Sequence, residues 1–343
     1  MKLAIVNNTV PFLRGGAEIL ADSLADRFRM AGHEVTLVRL PFSWDPPEHV
    51  ADAMLAASLT MIAEVDRVIA LKFPAYMVPH ANKVVWLLHQ FRQFYDLWSD
   101  SDIHDETTLA VRELVLRADD EHLGEVRRLF ANSPVTAARL RRFNGIYAEV
   151  LHPPLPNAEA FGPVDLGDYI FAGGRINSFK RQLLAVQAMA HTTSDVQLIV
   201  AGAPETPADL TALTEAREAS PHPERVTIIP RFIAEHHKVE LVNHALGCVY
   251  APIDEDSYGY VTLEGAQASK PLITTTDSGG ILDLVYDGRS GIVCDPDPAD
   301  MAAAFDSLYR SRQMARALGE GAKARILELG ISWDHVLDRL LSP

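Results

Sequence analysis

His152-Pro153-Pro154-Leu155-Pro156-Asn157 breaks the chain into two stretches of like pattern, and that break decides the fold. Its prolines lack amide protons and fix φ, so neither a helix nor a central strand continues through them. A linker between domains is expected to start here and to reach about Gly167. On the N-terminal side, apolar runs rich in Val and Ile occupy residues 3–6, 35–38, 67–70, 84–88, 130–132 and 149–151, with helical stretches such as 16–31 and 134–143 between them. On the C-terminal side the alternation resumes at 169–172 and continues through 197–201, 226–229, 248–251, 272–274 and 292–293, with helices near 181–190, 235–243, 261–268 and 298–310. Short β-rich runs alternating with helices give parallel sheets covered by helices, so the fold class is α/β. Two domains are expected, residues 1–160 and 165–330. No sequence repeat relates them, so any likeness is one of architecture. The final segment sets Trp333, Val336, Leu337, Leu340 and Leu341 on one helical stripe that needs a partner surface.

Composition points the same way. A chain of 343 residues exceeds what one core usually serves, and 48% hydrophobic residues supply two. The net charge of -15 argues against nucleic acid as the main partner, because affinity for a polyanion comes from clustered Lys and Arg. A diphosphate needs only a local basic pocket. The opening apolar run is too short for the core of a signal peptide, and no stretch reaches the roughly 18 uninterrupted apolar residues of a membrane span. Cys248 and Cys294 each adjoin a β-rich apolar run and read as buried, reduced thiols, which suits a cytoplasmic protein.

Three loops carry candidate chemistry. After the first strand, Gly15-Gly16-Ala17-Glu18 opens a helix; bare amides and the helix dipole suit an anion there, although a glycine pair at such a turn also serves simply as a tight turn. In the second half, Phe171-Ala172-Gly173-Gly174-Arg175 leads into Ile176-Asn177-Ser178-Phe179-Lys180-Arg181. A strand running into glycines sets Arg175 at the carboxyl edge of the sheet, where open α/β folds bind ligands, with Lys180 entering the next helix. The two are either phosphate-facing cations or solvated ones. The third loop, Asp254-Glu255-Asp256-Ser257-Tyr258-Gly259-Tyr260-Val261-Thr262-Leu263-Glu264-Gly265-Ala266, places acidic residues at a strand end, Gly259 in a turn and Glu264 in a helix. That pattern aims carboxylates at the hydroxyl donors of a neutral polyol. Asp277-Ser278-Gly279-Gly280 is a further glycine turn. No Gly-x-Gly-x-x-Gly occurs, so a dinucleotide fingerprint does not account for these loops.

Taken in order, these segments resemble glycosyltransferase family 4, whose members have the GT-B fold. The family's Glu-x7-Glu is matched by Asp256-x7-Glu264, followed by Lys270-Pro271-Leu272-Ile273 and then Gly279-Gly280 with Asp283. Either Asp256 replaces the first Glu, or Glu255 is that residue and Ser257 is an insertion. Phe12-Leu13-Arg14-Gly15-Gly16-Ala17-Glu18 is similar to the family's N-terminal phosphate loop, and Gly174-Arg175 with Lys180 to its diphosphate-binding pair. Leu87-Leu88-His89-Gln90 is similar to its active-site His segment, and Phe130-Ala131-Asn132-Ser133 to the strand and turn before its linker.

The resemblance implies two facing Rossmann-like domains with an interdomain cleft, and a C-terminal helix, 331–343, packed back on the first. It implies a retaining, metal-independent transfer of a hexose from a nucleotide-diphosphate sugar to a glycan, lipid-linked or small-molecule acceptor, with no cofactor. Gly174, Arg175 and Lys180 are then expected to hold the departing diphosphate, with the Gly15 and Gly16 amides approaching it and Glu264 on the ribose. Asp256 or Glu255, with the backbone of Tyr258, Gly259, Tyr260 and Val261, would position the sugar. His89 would face it, the nucleobase would rest near residues 230–233, and Arg92, Tyr95 and Asp96 would lie on the acceptor side.

Other readings stay open. A metal-dependent transferase would use an Asp-x-Asp string, which Asp254-Glu255-Asp256, Asp295-Pro296-Asp297 and Asp100-Ser101-Asp102 all fit. A UDP-sugar epimerase shares the double-domain shape, and Asp256 in place of Glu leaves room for a catalytically silent sugar-nucleotide binder. Arg127, Arg128, Arg139, Arg141 and Arg142, with no acidic residue among 127–142, are either a solvated helix face or a contact for an anionic membrane.

Overall fold

Each half of the chain builds one six-stranded parallel sheet, in a computed structural model that describes residues 1–10, 15–99 and 101–342. The first unit is Met1–Pro156 with Ile331–Pro343. It runs β1 (Lys2–Thr9), α1 (Gly16–Met30), β2 (Glu34–Pro41), α2 (Glu48–Leu59), β3 (Arg67–Ala70), β4 (Lys83–Leu87), α3 (Glu106–Gly124), β5 (Arg128–Ala131), α4 (Pro134–Asn144) and β6 (Glu149–Val150). Its strand order is β2-β1-β3-β4-β5-β6. Alternate residues of β1 serve opposite faces, as the two-residue strand period requires. Leu3 and Ile5 join Leu20, Leu24 and Phe28 of α1, while Ala4 and Val6 join Val50 and Met54 of α2 and Val111 and Val115 of α3. Both faces are dry, which is why the strand reads as an unbroken apolar run.

The second unit, Asn157–Gly330, runs β7 (Tyr169–Gly173), α5 (Gln182–Ala188), β8 (Gln197–Ala201), α6 (Pro207–Ala219), β9 (Val226–Ile229), α7 (Glu235–Asn243), β10 (Gly247–Val249), α8 (Gly259–Gln267), β11 (Leu272–Thr275), β12 (Gly291–Cys294), α9 (Pro298–Arg310) and α10 (Arg312–Glu328). Its order is β12-β11-β10-β7-β8-β9. Ile170, Ala172, Leu198 and Val200 pack on Leu184 of α5, Phe305 of α9 and Leu318 of α10.

In both units the chain starts on an interior strand and adds strands first on one side, then on the other. The order reverses between β1 and β3 and between β7 and β10. The carboxyl ends at such a switch point are where open α/β sheets bind ligands.

The last helix, α11 (Trp333–Leu341), belongs to the first unit: Trp333, Val336 and Leu340 pack with Leu3, Ile5, Trp86 and Phe130. Arg67 donates to the Leu340 and Ser342 carbonyls at 2.7 and 2.9 Å, satisfying the end of the helix. The proline run expected to start a linker is instead part of this unit. Residues 151–155 are buried, the Trp86 and Trp333 indoles donate to the Leu151 and Leu155 carbonyls at 2.8 Å each, and Arg27 donates to the Pro156 carbonyl at 2.7 Å. Proline carbonyls and their neighbours still accept hydrogen bonds, and indole and guanidinium groups supply them. The division falls at Pro156–Asn157, after which Ala160 and Gly162 bond to the Asn243 side chain of the second unit. No helix among the described residues is long and apolar enough to cross a membrane.

Candidate active site

At the switch point of the second sheet, β7 ends at Gly173 and the chain turns through Gly174 at φ 106°, a left-handed value that favours glycine. Arg175 follows, exposed and without a carboxylate partner among the described residues. Lys180 was expected inside the next helix but lies in the turn before it, because α5 starts only at Gln182. The cause is Arg181, whose backbone is left-handed at φ 51° and ψ 37°. Its side chain offsets that strain. Arg181 donates to the Ala251 and Pro252 carbonyls at 2.7 and 3.0 Å, to Thr275 Oγ1 at 2.7 Å, and in a fork to Asp277 at 2.8 and 2.7 Å. One guanidinium thus ties together the loops that follow β7, β10 and β11.

Within that frame Lys180 Nζ donates to the Tyr250 hydroxyl at 2.5 Å, and Tyr250 donates to Glu255 Oε2 at 3.1 Å. The ammonium itself lies 3.9 Å from that carboxylate oxygen. Burial, and then the charge of Glu255, hold the Tyr250 hydroxyl well above its ordinary range, so it remains a donor. The Gly279-Gly280 turn supports the acidic loop rather than offering bare amides: the Gly280 amide donates to the Glu255 carbonyl at 2.8 Å. A side-chain carbon on Gly279, at φ 68°, would lie 2.6 Å from that same carbonyl oxygen.

Glu264 stands in α8 and is 3% exposed. Its Oε1 accepts from Lys238 Nζ at 2.6 Å, while Oε2 is buried with no hydrogen-bond partner. Burial pushes the carboxyl up to about 7, against the opposing charge of Lys238. Of the residues before it, Tyr258 is a core side chain at 1% exposure, so only its backbone is available to a ligand. Asp256, Gly259, Tyr260 and Val261 are half-buried, and burial raises the Tyr260 hydroxyl.

In the first unit the expected phosphate loop is partly outside the described residues, which omit Phe12, Leu13 and Arg14. The Gly15 amide is described, and it is not bare: it donates to Glu18 Oε2 at 2.8 Å, three residues into α1. Glu18 also pairs with Lys72 at 3.1 Å, across the switch point from the end of β3. Against the upward push of burial, Lys72 and the Gly15 amide hold the Glu18 carboxyl below its ordinary range. A carboxylate therefore occupies this helix N-terminus, and a phosphate reaches Gly15 only by displacing it. Gly16 is exposed.

His89 follows β4 and is half-buried, with Nδ1 2.7 Å from the Gln90 carbonyl. A carbonyl only accepts, so Nδ1 is the donor in this contact. The three residues expected on the acceptor side are turned inward by a short helical turn at Arg92–Phe94. Arg92 forks onto Asp96 at 2.8 and 2.6 Å, with Arg139 at 3.4 Å from the same carboxylate. Tyr95 is 4% exposed and donates to Asp119 at 2.6 Å, alongside Tyr76. These contacts correct the expectation for Tyr95, which is an internal side chain. Three of the remaining four arginines lie over aromatic rings, Arg128 over Phe130, Arg141 over Tyr147 and Arg142 over Phe143, while Arg127 is exposed. Among the Asp-x-Asp strings, Asp297 caps α9 by accepting from the Ala299 amide at 2.8 Å, and Asp100 lies outside the described residues.

Two contributors escaped the sequence reading. Glu18 had a legible signal, since an acidic residue three positions after a helix start is the spacing of a capping box. Lys238 had none, because its partner lies 26 residues further on, on another helix.

Comparison with known proteins narrows what a two-unit α/β chain with cations and carboxylates near a sheet switch point can be. Residues 161–325, nearly the whole second unit, match the family model described as glycosyl transferases group 1. The chain is 30% identical over 211 residues to the alpha-maltose-1-phosphate synthase of Mycolicibacterium smegmatis, covering 58% of this chain and 54% of that protein. It is 28% identical over 302 residues to the D-inositol 3-phosphate glycosyltransferase of Mycobacterium marinum, covering 76% of this chain and 60% of that protein. The chain thus spans only 54 to 60% of these relatives. In fold, it matches the crystal structure of Anabaena Alr3699/HepE in complex with UDP and glucose, with a TM-score of 0.74 over the whole of both chains at 16% identity.

Proposed function

We propose that the chain is a retaining glycosyltransferase that moves a hexose from a nucleoside-diphosphate sugar to a glycan, lipid-linked or small-molecule acceptor, without a metal ion. The observation that carries this reading is the convergence at the β7–β10 switch point. Arg175, exposed and without a carboxylate partner among the described residues, and the Lys180 ammonium belong to the same second-unit frame as Glu264, a buried carboxylate with one oxygen unpartnered among those residues. The two cations suit a diphosphate and the open carboxylate oxygen suits ribose hydroxyls. The family match and the names of the relatives support the transferase class, and the UDP bound in the structurally similar HepE supports a nucleotide donor.

As the glycosidic bond breaks, negative charge grows on the leaving diphosphate, and Arg175 and Lys180 stabilise it. Asp256 or Glu255 and the backbone of 258–261 position the sugar. A leaving phosphate oxygen takes the acceptor's proton, so retention needs no enzymic nucleophile. Metal independence is supported by the two cations at the diphosphate position.

A screen of nucleoside-diphosphate sugars by thermal shift would identify the donor, because a ligand at 100 times its dissociation constant stabilises by about 2.7 kcal/mol. NMR of the first-formed product should then show the donor's anomeric configuration, with turnover unchanged by EDTA. Inversion, or activity abolished by EDTA and restored by Mg²⁺ or Mn²⁺, would sink this mechanism. Release of an epimerised sugar without acceptor would point to an epimerase instead.

A further inference from the structure

We infer that Lys238 is a positioning residue of the donor site, which aims Glu264 at the ribose and so sets a preference for ribonucleotides over deoxyribonucleotides. The inference rests on the reading of Glu264 as the ribose-binding carboxylate. Lys238 projects from α7, and its ammonium lies between two carboxylates, 2.6 Å from Glu264 Oε1 and 3.0 Å from Glu235 Oε2. Burial alone would lower its pKa, yet Glu264 and Glu235 together raise it, so the charge persists at neutral pH.

Three consequences follow from this placement. By occupying Oε1, Lys238 fixes the carboxylate's rotation and leaves Oε2 as the only open acceptor. That oxygen is buried without a partner, a state that is costly until a donor arrives, and a ribose hydroxyl is a donor. By its charge, Lys238 also opposes the burial that pushes the Glu264 carboxyl up. Without the ammonium that opposition is lost, and burial pushes the Glu264 carboxyl further toward its protonated form, with a proton on one of the oxygens the hydroxyls need. Finally, the ammonium is itself held. Glu235 Oε1 accepts from Asn157 Nδ2 at 3.0 Å, so the chain Asn157–Glu235–Lys238–Glu264 runs from the start of the second unit to the proposed ribose site.

The test compares nucleotides that differ by one hydroxyl. Among UDP, GDP and ADP, the tightest binder to the full chain is taken as the probe, and its 2′-deoxy form as the comparator, both measured by calorimetry. The wild type should prefer the ribose form by roughly 10- to 100-fold, the value of a hydrogen bond to a charged group. Glu264→Gln should bring the ratio close to one, Lys238→Met should do the same, and Lys238→Arg should keep most of it. General destabilisation weakens both nucleotides alike and leaves the ratio unmoved, so the ratio separates positioning from a merely structural ion pair. If Lys238→Met does not fold, Lys238→Gln carries the same comparison. A wild-type ratio in the Lys238 variant, with the ratio lost in Glu264→Gln, would overturn the role of Lys238 alone. No preference in the wild type, or a preference that survives Glu264→Gln, would remove the ribose reading of Glu264 and this inference with it.

Discussion

Replacing Lys180 by Met removes an ammonium while keeping the apolar stem of a side chain whose Nζ lies 4.9 Å from the centre of the Tyr250 ring. Two unit charges about 4 Å apart interact by about 4 kcal/mol at an effective dielectric of about 20. Lys180 and Glu255 sit 3.9 Å apart, but with side chains 29% and 30% exposed, solvent screening brings their resting attraction nearer 1 kcal/mol. Little therefore holds the ammonium on Glu255 when a diphosphate arrives. In the transition state the leaving group gains charge, and loss of one such stabilising donor costs by analogy about 2.7 to 4 kcal/mol, a fall of roughly 10² to 10³ in turnover. The variant also leaves Glu255 facing the diphosphate unneutralised. Adding Glu255→Gln should recover about 1 kcal/mol, roughly fivefold in turnover. Release of nucleoside diphosphate at saturating donor measures turnover, and calorimetry with the intact donor measures binding separately. A raised donor constant with wild-type turnover would refute the leaving-group role of Lys180. A double variant no faster than Lys180→Met would remove Glu255 from the neighbourhood of the charge.

Two further outcomes concern the frame. Arg181→Ala should destabilise the second unit by about 2 to 4 kcal/mol in urea denaturation, below the figure for a fully buried pair because Asp277 is 43% exposed; a loss under about 0.5 kcal/mol would show that the three loops hold without it. Asp119, fully buried between Tyr76 and Tyr95, is pushed by burial from 3.8 to about 7. The protonated form suits the folded chain better, so its contribution is complete below 3.8 and is lost as pH rises through about 7. At about 1.4 kcal/mol per pH unit this interval amounts to roughly 4 kcal/mol. Asp119→Asn has no such titration, and the stability difference between wild type and variant should shift by that order between pH 4 and 8. A difference constant with pH would contradict the buried-carboxyl reading.

The α/β class, the two alternations and most strand positions were legible because a strand buried on both faces must be apolar throughout, whatever its neighbours. Trp333, Val336 and Leu340 likewise announced a helix that had to be covered. The order of the loops around Arg175, Lys180 and Glu264 was legible as a resemblance, since spacing along one strand-turn-helix unit is a local property. What the sequence left open depends on partners distant in the chain. The proline run at 153–156 looks like a free linker until two indoles and an arginine claim the carbonyls of Leu151, Leu155 and Pro156 in and beside it. Tyr95 reads as surface until Asp119 takes its hydroxyl, and Gly15 as a bare anion site until Glu18 fills it. Arg181, 96 residues from Asp277, and Lys238, 26 from Glu264, acquire their roles only when separate elements meet. A hydrophobic period is dictated residue by residue along the chain. A hydrogen bond or ion pair needs its second atom within about 3 to 4 Å, and only the folded chain decides which atom that is.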